Sequence, residues 1–217
     1  MLENYKKHVA ERAEQNIPPL PLDADQTSEL IKLLKEDHQE SDFLLNLLKE
    51  RVPAGVDQAA YVKAAFLADI TTGKASGPYI TKIDAVKILG TMLGGYNIQP
   101  LIECLKDNEL AEAAAHVLSR TLLIFDAFNE IFELSKTNEH AKKVVEEWAN
   151  ATWFTEKTDI EEQIKLTVYK VTGEINTDDL SPAPDAWSRP DIPLHALAMF
   201  KMPRTGLDDP LGTCLLY

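Results

Sequence analysis

The stretch "VDQAAYVKAAFLADI", residues 56–70, decides the fold class of this chain. Four of its apolar residues recur at helical spacing and lie on adjoining faces of a helix, namely Ala60, Ala64, Phe66 and Leu67. Asp57 stands at the N-cap position, where its carboxylate can accept the free N–H groups of the first turn. The stretch therefore predicts a capped, amphipathic helix.

Similar short runs lie on both sides of this helix. An opening helix is expected to end near Asn16, because the three prolines of "IPPLPLD" (17–23) cannot continue helical hydrogen bonding. Asp23 is the predicted cap of the next helix, and Ser41 or Asp42 that of a helix closed by Pro53. The further runs are "TKIDAVKILGTML" (81–93), "IQPLIECLKD" (98–107), "NELAEAAAHVLSRTLLIFDAFNEIFELS" (108–135) and "NEHAKKVVEEWANATWF" (138–154), with a break at "GGYN" (94–97).

The spacing of these runs predicts how the helices pack. Helices of roughly 10–14 residues joined by short breaks are typical of antiparallel pairs stacked in a row, as in α-solenoids. The repeat signal is weak, because "YVKAAFLADI", "AVKILGTML" and "LAEAAAHVLSR" share small residues and spacing without a fixed period. HEAT-like stacking is therefore the predicted architecture, and an irregular helical bundle is the alternative.

The hydrophobic period changes after "EKTDIEEQ" (156–163). The following "IKLTVYKVTGEI" (164–175) alternates with period two and is rich in β-branched residues, which predicts a strand beginning between 163 and 167. We therefore place a domain boundary here, with a mainly α domain over 1–160 and a second, α/β segment over 161–217. A segment with one clear strand cannot close a useful sheet, so the second domain is expected to be truncated.

Composition limits the classes of function. The chain has 217 residues with 22 Lys+Arg against 35 Asp+Glu, a net charge of −13. This balance disfavours non-specific binding to nucleic acid or to an anionic membrane. The apolar runs are too short to span a bilayer and the N-terminus has no apolar signal region, which predicts a cytoplasmic protein. Cys104 is expected to be a core thiol, and neither it nor Cys214 has metal-ligand spacing with the histidines.

The segment "NTDDLSPAPDAWSRPD" (176–191) is unusually polar and rigid. Asn176, Thr177 and Asp178 are turn and cap formers. Pro190 restricts Arg189 to an extended conformation, so its guanidinium could grip a carboxylate with little loss of backbone entropy. Taken alone, the residues favour a capped, rigid connection over a ligand-binding loop.

A resemblance changes that balance. The strings "KHVAERA" (7–13), "RVPAGVDQAAYVKAAFLA" (51–68), "LGTMLGGYNIQPLI" (89–102) and "VTGEINTDDLSPAPDAWSRPDIPLHALAM" (171–199) are similar, in order, to the bacterial aconitase B family. The resemblance implies a HEAT-like domain followed by the start of a swivel domain. It ends at about residue 202, so the tail 203–217 is expected to depart from the family.

The resemblance also implies the site. Arg189 matches the arginine that contacts the tricarboxylate substrate in that family, while Asp185 and Ser188 are expected to support the loop. Family members hold a [4Fe–4S] cluster through three cysteines in later domains. Because this chain has two cysteines at unrelated positions, we expect it to bind no cofactor and to be inactive alone.

Two functional hypotheses follow. The first is the N-terminal part of an aconitate hydratase of the citric acid cycle, which converts citrate to isocitrate through cis-aconitate. The second is a free-standing helical-repeat module for interaction or regulation, without catalysis. Under either hypothesis, the partners that the resemblance implies are a second copy of the chain, other enzymes and mRNA. The acidic charge of the chain disfavours mRNA.

Overall fold

The computed structural model describes residues 1–14, 19–121, 124–156, 163, 173–181 and 199, with the side chain of Phe125 excepted. The chain divides into two compact units, one of residues 23–159 and one that joins 1–22 with 160–217. The described helices of the second unit are α1 (Leu2–Glu14) and the short α11 (Thr177–Leu180). In that unit buried Tyr5 donates a hydrogen bond to Leu20 O (3.1 Å), which anchors the segment after α1.

The unit of residues 23–159 is built from helices. They are α2 (Ala24–Leu34), α3 (Ser41–Asn46), α4 (Gln58–Thr72), α5 (Lys82–Leu89), α6 (Ile98–Cys104), α7 (Ala111–Leu118), α8 (Phe128–Leu134), α9 (Glu139–Ala149) and α10 (Thr152–Thr155). A π-helical turn, Leu47–Arg51, follows α3, and a 3-10 turn, Phe125–Ala127, precedes α8.

Local capping explains where several helices begin. Asp23 accepts a hydrogen bond from Gln26 N, and the Gln26 side chain accepts one from Asp23 N, which completes a capping box. Asp57 caps α4 by accepting from Ala60 N at 3.0 Å. The helix α4 ends at Gly73, whose φ of 76° is the left-handed conformation that glycine adopts without strain. Both predicted aspartate caps are confirmed.

The predicted cap of α3 is wrong. The N-cap is Glu40, which makes no side-chain capping bond, and Ser41 is already the first helical residue. Leu44 N bonds to Glu40 O, so the first turn closes one residue before the predicted cap. The predicted end is confirmed, because Val52 is extended immediately before Pro53.

Helices two apart in sequence are neighbours in space. α2 packs on α4, α4 on α6, α5 on α7 and α7 on α9, while consecutive helices such as α4 and α5 also pack together. This is the neighbour pattern of helical pairs stacked in a row. The three strings with the weak repeat signal fall on α4, α5 and α7, which pack in that order. The mainly α fold class is confirmed.

The core is apolar and continuous along the stack. The fully buried leucines Leu30, Leu44, Leu67, Leu89, Leu101 and Leu118 come from successive elements. The predicted face of α4 supplies Ala60 and Ala64 to this core, and α7 adds Ala114 and Ala115. Their small side chains let neighbouring helices approach closely.

Two of the predicted runs are interrupted. "NEHAKKVVEEWANATWF" divides into α9 and α10 because Ala151 takes a left-handed φ of 52°. The run 108–135 divides into α7 and α8 around the 3-10 turn. The described residues contain no β-strand, and Gly77 and Ile80 form an isolated bridge. The strand predicted from 164 falls almost entirely outside the described residues.

Asn138 links α9 to the preceding layer and gives a test of the packing. Its Oδ1 accepts from Ala141 N (2.9 Å) as the cap of α9, and its Nδ2 donates to Leu105 O (2.8 Å). We expect Asn138→Ala to lower the free energy of unfolding by about 2 kcal/mol, because it removes a cap and leaves a carbonyl without its donor. Asn138→Asp keeps the cap to Ala141 N but loses the bond to Leu105 O. The decrease in its free energy of unfolding, measured by urea denaturation, should be about half as large.

Candidate functional site

The three residues that the resemblance assigns to a substrate loop, Arg189, Asp185 and Ser188, lie outside the described residues. Their arrangement therefore stays a prediction. The start of the same segment is described, and it forms a closed turn. Asn176 Oδ1 accepts from Asp179 N (3.1 Å), and Asp179 Oδ2 accepts from Asn176 N (3.0 Å), with Asp179 buried. The predicted capping role of Asn176 is confirmed.

A second candidate lies in the unit of residues 23–159, where two loops are fastened together. Leu93 N donates to Ala54 O (2.7 Å), and Tyr96 Oη donates to Val56 O (2.9 Å). Gly94 lies against the backbone of Gly55, so close that a Cβ on Gly94 would lie only 2.9 Å from Val56 N. The two loops belong to the strings 51–68 and 89–102 that carry the family resemblance.

This pair of loops presents an exposed apolar surface. Val56 is 75% exposed and Leu93 86% exposed, and the rings of Tyr61 and Tyr96 stand edge to face beside them with centroids 5.4 Å apart. We call Val56, Tyr61, Leu93 and Tyr96 the loop-pair surface. Contiguous apolar side chains held open to solvent by a rigid backbone mark interaction sites. Sequence reasoning missed this surface, although glycines at 55 and 94 in two matching strings were a signal.

Two cationic side chains belong to the elements that flank the loop of residues 52–57. Lys63 on α4 is 0% exposed, and its Nζ has one hydrogen bond, a 3.3 Å contact to Lys49 O in the π-helical turn. Burial lowers the pKa of Lys63 from 10.5 to about 8, which the charge of Glu50 only partly opposes. Sequence reasoning missed Lys63, although residues 60, 63, 64 and 67 share one helical face.

Arg51 ends the π-helical turn and is only partly exposed. Its Nη1 is shielded from solvent and has no hydrogen-bond partner among the described residues. Among the described residues no carboxylate pairs with its guanidinium. A buried donor without a hydrogen-bond partner is costly.

An open cavity of about 400 Å³ lies between α6 and α8. Its polar lining includes Gln99, Asp126 and Glu130, and Gln99 Nε2 donates to Glu130 Oε1 at 3.2 Å. The carboxylates give this cavity a negative potential that would repel a tricarboxylate. We therefore do not assign it to substrate binding.

The described residues do not fit an iron–sulfur cluster. Such clusters are held by several cysteine thiolates, whereas Cys104 is a single thiol that is 4% exposed. Burial raises the pKa of the Cys104 thiol, and a hydrogen bond with Thr71 offsets only part of the rise. No group of three His, Cys, Asp or Glu side chains suited to a metal occurs in the described part of the chain. Cys104 is a core thiol, as predicted.

The described architecture defines the class of protein as a stacked helical domain with an exposed loop surface. No helix within the described ranges combines the length and apolar character that a membrane crossing requires. A family model described as the aconitate B N-terminal domain matches residues 4–154. A second, described as the aconitate hydratase 2 N-terminus, matches residues 166–212, which includes part of the tail that we expected to depart.

Curated relatives agree with these matches. Aconitate hydratase B of Escherichia coli strain K12 is 58% identical over 210 residues, covering 96% of this chain and 24% of the relative. The protein of the same name from Pseudomonas aeruginosa is 57% identical over 210 residues, with the same two coverages. That of Helicobacter pylori strain J99 is 50% identical over 202 residues, covering 92% of this chain and 24% of the relative.

The chain belongs to the aconitase B family, and the part of the family that it matches is the N-terminal region. The resemblance read from the residues is thus confirmed. The chain spans about a quarter, 24%, of the length of these relatives.

Proposed function

We propose that this chain acts as the N-terminal part of an aconitate hydratase, a hydro-lyase that converts citrate to isocitrate through cis-aconitate in the cytoplasm. The observation that carries the proposal is the 58% identity to Aconitate hydratase B over 96% of the chain. The residues identical to that relative extend over both units of the chain. This favours a function that needs both units over one that needs only a single short motif.

In this proposal the segment after α11 binds substrate. The closed turn at Asn176 and Asp179 supports it, because it gives the polar segment a defined start. Pro190 restrains Arg189 to an extended backbone. A guanidinium held in this way can bind a substrate carboxylate through two parallel hydrogen bonds. Asp185 and Ser188 would hold the loop in shape.

The [4Fe–4S] cluster of such an enzyme would be held elsewhere in the longer protein, since the described residues do not fit it. When bound, a cluster of this kind supplies a Lewis-acidic iron. The role proposed for this chain's own residues is to bind and orient a carboxylate through Arg189.

The helical unit is proposed to contribute contacts with other proteins. The loop-pair surface supports this role, because Val56 and Leu93 are open to solvent on a backbone that hydrogen bonds hold in place. Self-association through this unit is a second form of the same proposal. The charge of −13 argues against mRNA as its partner.

A chimera tests the catalytic proposal. The matching quarter of the Escherichia coli relative is replaced by this chain, and hydration of cis-aconitate is followed in the reconstituted holoenzyme. We expect activity near that of the parent enzyme. Arg189→Ala in the chimera should lower kcat/KM roughly 30- to 1,000-fold, because a charge-assisted substrate contact is lost. This corresponds to a loss of about 2–4 kcal/mol of transition-state stabilisation.

Arg189→Lys keeps the positive charge but lacks the planar guanidinium. Its kcat/KM should therefore lie between that of the chimera and that of the chimera with Arg189→Ala. The melting temperature of the isolated chain should hardly change with Arg189→Ala, since exposed ion pairs contribute about 0–1 kcal/mol. A large loss of stability with unaltered kcat/KM would show that Arg189 is structural.

A free-standing interaction module is the alternative function, and the loop-pair surface favours it as well. It would be supported by a chimera that folds and binds the cluster but has no activity even with Arg189 intact. A working chimera decides against it.

A further inference from the structure

The open cavity between α6 and α8 combines an apolar lining with negative charge. Its volume of about 400 Å³ falls within the size range of small-molecule sites. Two largely buried isoleucines, Ile98 and Ile124, belong to its apolar lining. Asp126 and Glu130 contribute two carboxylates to the same cavity. The cavity therefore suits a ligand that carries both an apolar part and a positive charge.

Neither carboxylate forms an ion pair with another described residue. By contrast, Glu133 on the same helix pairs with Lys136 at 2.6 Å. No lysine, arginine or histidine belongs to the described lining of the cavity. Asp126 and Glu130 are four residues apart at the start of α8, and like charges at this spacing on a helix repel each other. A bound cation would offset that repulsion.

Gln99 restrains one of the two carboxylates without neutralising it. Its Nε2 donates to Glu130 Oε1 at 3.2 Å and to Glu103 Oε1 at 3.3 Å. An amide is a neutral donor, so Glu130 keeps its negative charge. Both Asp126 and Glu130 are exposed to solvent, so a ligand can reach them.

We propose that this cavity binds an ammonium or guanidinium group on an alkyl chain, with the cation at Asp126 and Glu130 and the alkyl chain against Ile98 and Ile124. A free alkyl diamine carries this chemistry, and so does the lysine or arginine side chain of another protein. The proposal is independent of the catalytic role and of the loop-pair surface, since neither uses a residue of this cavity.

Other classes of ligand use only part of the lining. An anion is repelled by the two carboxylates. A divalent metal ion takes several oxygen ligands, and no group of three suitable side chains occurs in the described ranges. A neutral apolar molecule would leave both carboxylates without a partner. An alkyl cation is the ligand class that uses the carboxylates and the isoleucines together.

The test is a titration of the full chain, labelled with nitrogen-15 and followed by NMR. The probe is the alkyl diamine cadaverine, and its neutral counterpart is the pentanediol of the same length. We expect cadaverine to shift the amide signals of Gly95, Gln99 and Ala127 and to bind at least about tenfold more tightly than the diol. Pentylammonium should bind at least about threefold more tightly than ethylammonium, because its longer chain covers more apolar surface.

Substitutions locate the site. Asp126→Asn and Glu130→Gln should each weaken cadaverine binding at least about fivefold, because each removes one carboxylate from the cavity. Glu133→Gln is the matched control, since it removes a charge from the same helix outside the lining. Its affinity should stay within about twofold of the parent. Equal binding of diamine and diol, or equal losses in all three variants, overturns the proposal.

Two blocked tripeptides, one with a central lysine and one with a central arginine, distinguish the sources of the cation. If either binds more tightly than cadaverine, the natural ligand is a protein side chain, whereas the reverse order identifies a free amine. Either order supports an alkyl-cation site, and the absence of signal shifts with every probe overturns it. The catalytic proposal is judged separately, because the chimera with Asp126→Asn should retain its activity.

Discussion

Gly94→Ala is expected to lower the free energy of unfolding by about 3 kcal/mol. A Cβ at position 94 would overlap the carbonyl of Gly55 and approach Val56 N to 2.9 Å. Both obstacles are backbone atoms, so no side-chain rotation can relieve them. The loops must separate, which breaks the hydrogen bonds Leu93 N to Ala54 O and Tyr96 Oη to Val56 O.

Gly55→Ala is the matched control, because it adds the same methyl group to the other side of the same contact. Nothing lies within 4 Å of a Cβ on Gly55. Its stability should stay within about 0.5 kcal/mol of the parent or rise slightly, since alanine restricts the unfolded chain more than glycine. Urea unfolding followed by circular dichroism compares the two, and equal losses would contradict the close approach.

Lys63→Met is expected to stabilise the chain by about 2 kcal/mol at pH 7. The pKa of Lys63 falls from 10.5 to about 8 on folding, which corresponds to a cost of roughly 3 kcal/mol for holding the charged amine in the core. Methionine has a similar shape without the charge. Part of the gain is lost because Lys49 O loses its donor, at about 1 kcal/mol.

The pH dependence identifies the cause. Between pH 8 and 10.5 the unfolded chain holds a proton on Lys63 that the folded chain has released. The parent therefore gains stability as pH rises through this window, and below pH 8 the full cost is present. The advantage of Lys63→Met should be largest at pH 7 and should shrink as pH approaches 10.5.

Lys74→Met serves as the comparison, because Lys74 is an exposed lysine just after α4. It should change stability little, because it replaces a side chain that makes no buried contact. Measurements need only the difference between parent and variant at each pH, which cancels the titration of other groups. An advantage that is independent of pH would mean that packing, rather than charge, sets the effect.

Helix starts, and the buried face of a helix, could be predicted from sequence because they depend on interactions between residues close along the chain. Asp23 and Asp57 were identified as caps since the groups they satisfy lie three residues away. The helical period placed Ala60, Ala64 and Leu67 on the buried face. The same reasoning failed at Ser41, where the first turn closes at Glu40 without any side-chain cap.

Long strings of residues also sufficed for the family, which the matches over residues 4–154 and 166–212 establish. The role of Arg189 follows from that resemblance and remains to be tested by the chimera.

By itself, the sequence determined the mainly helical class, most helix starts and the family. Tertiary structure alone decided the loop-pair surface and the burial of Lys63 and Arg51 Nη1. The physical reason is distance along the chain. Tyr96 bonds to Val56 across 40 residues, and Lys63 meets the π-helical turn across 14. No local period encodes such pairs, which form only when the stack brings separate helices and loops together.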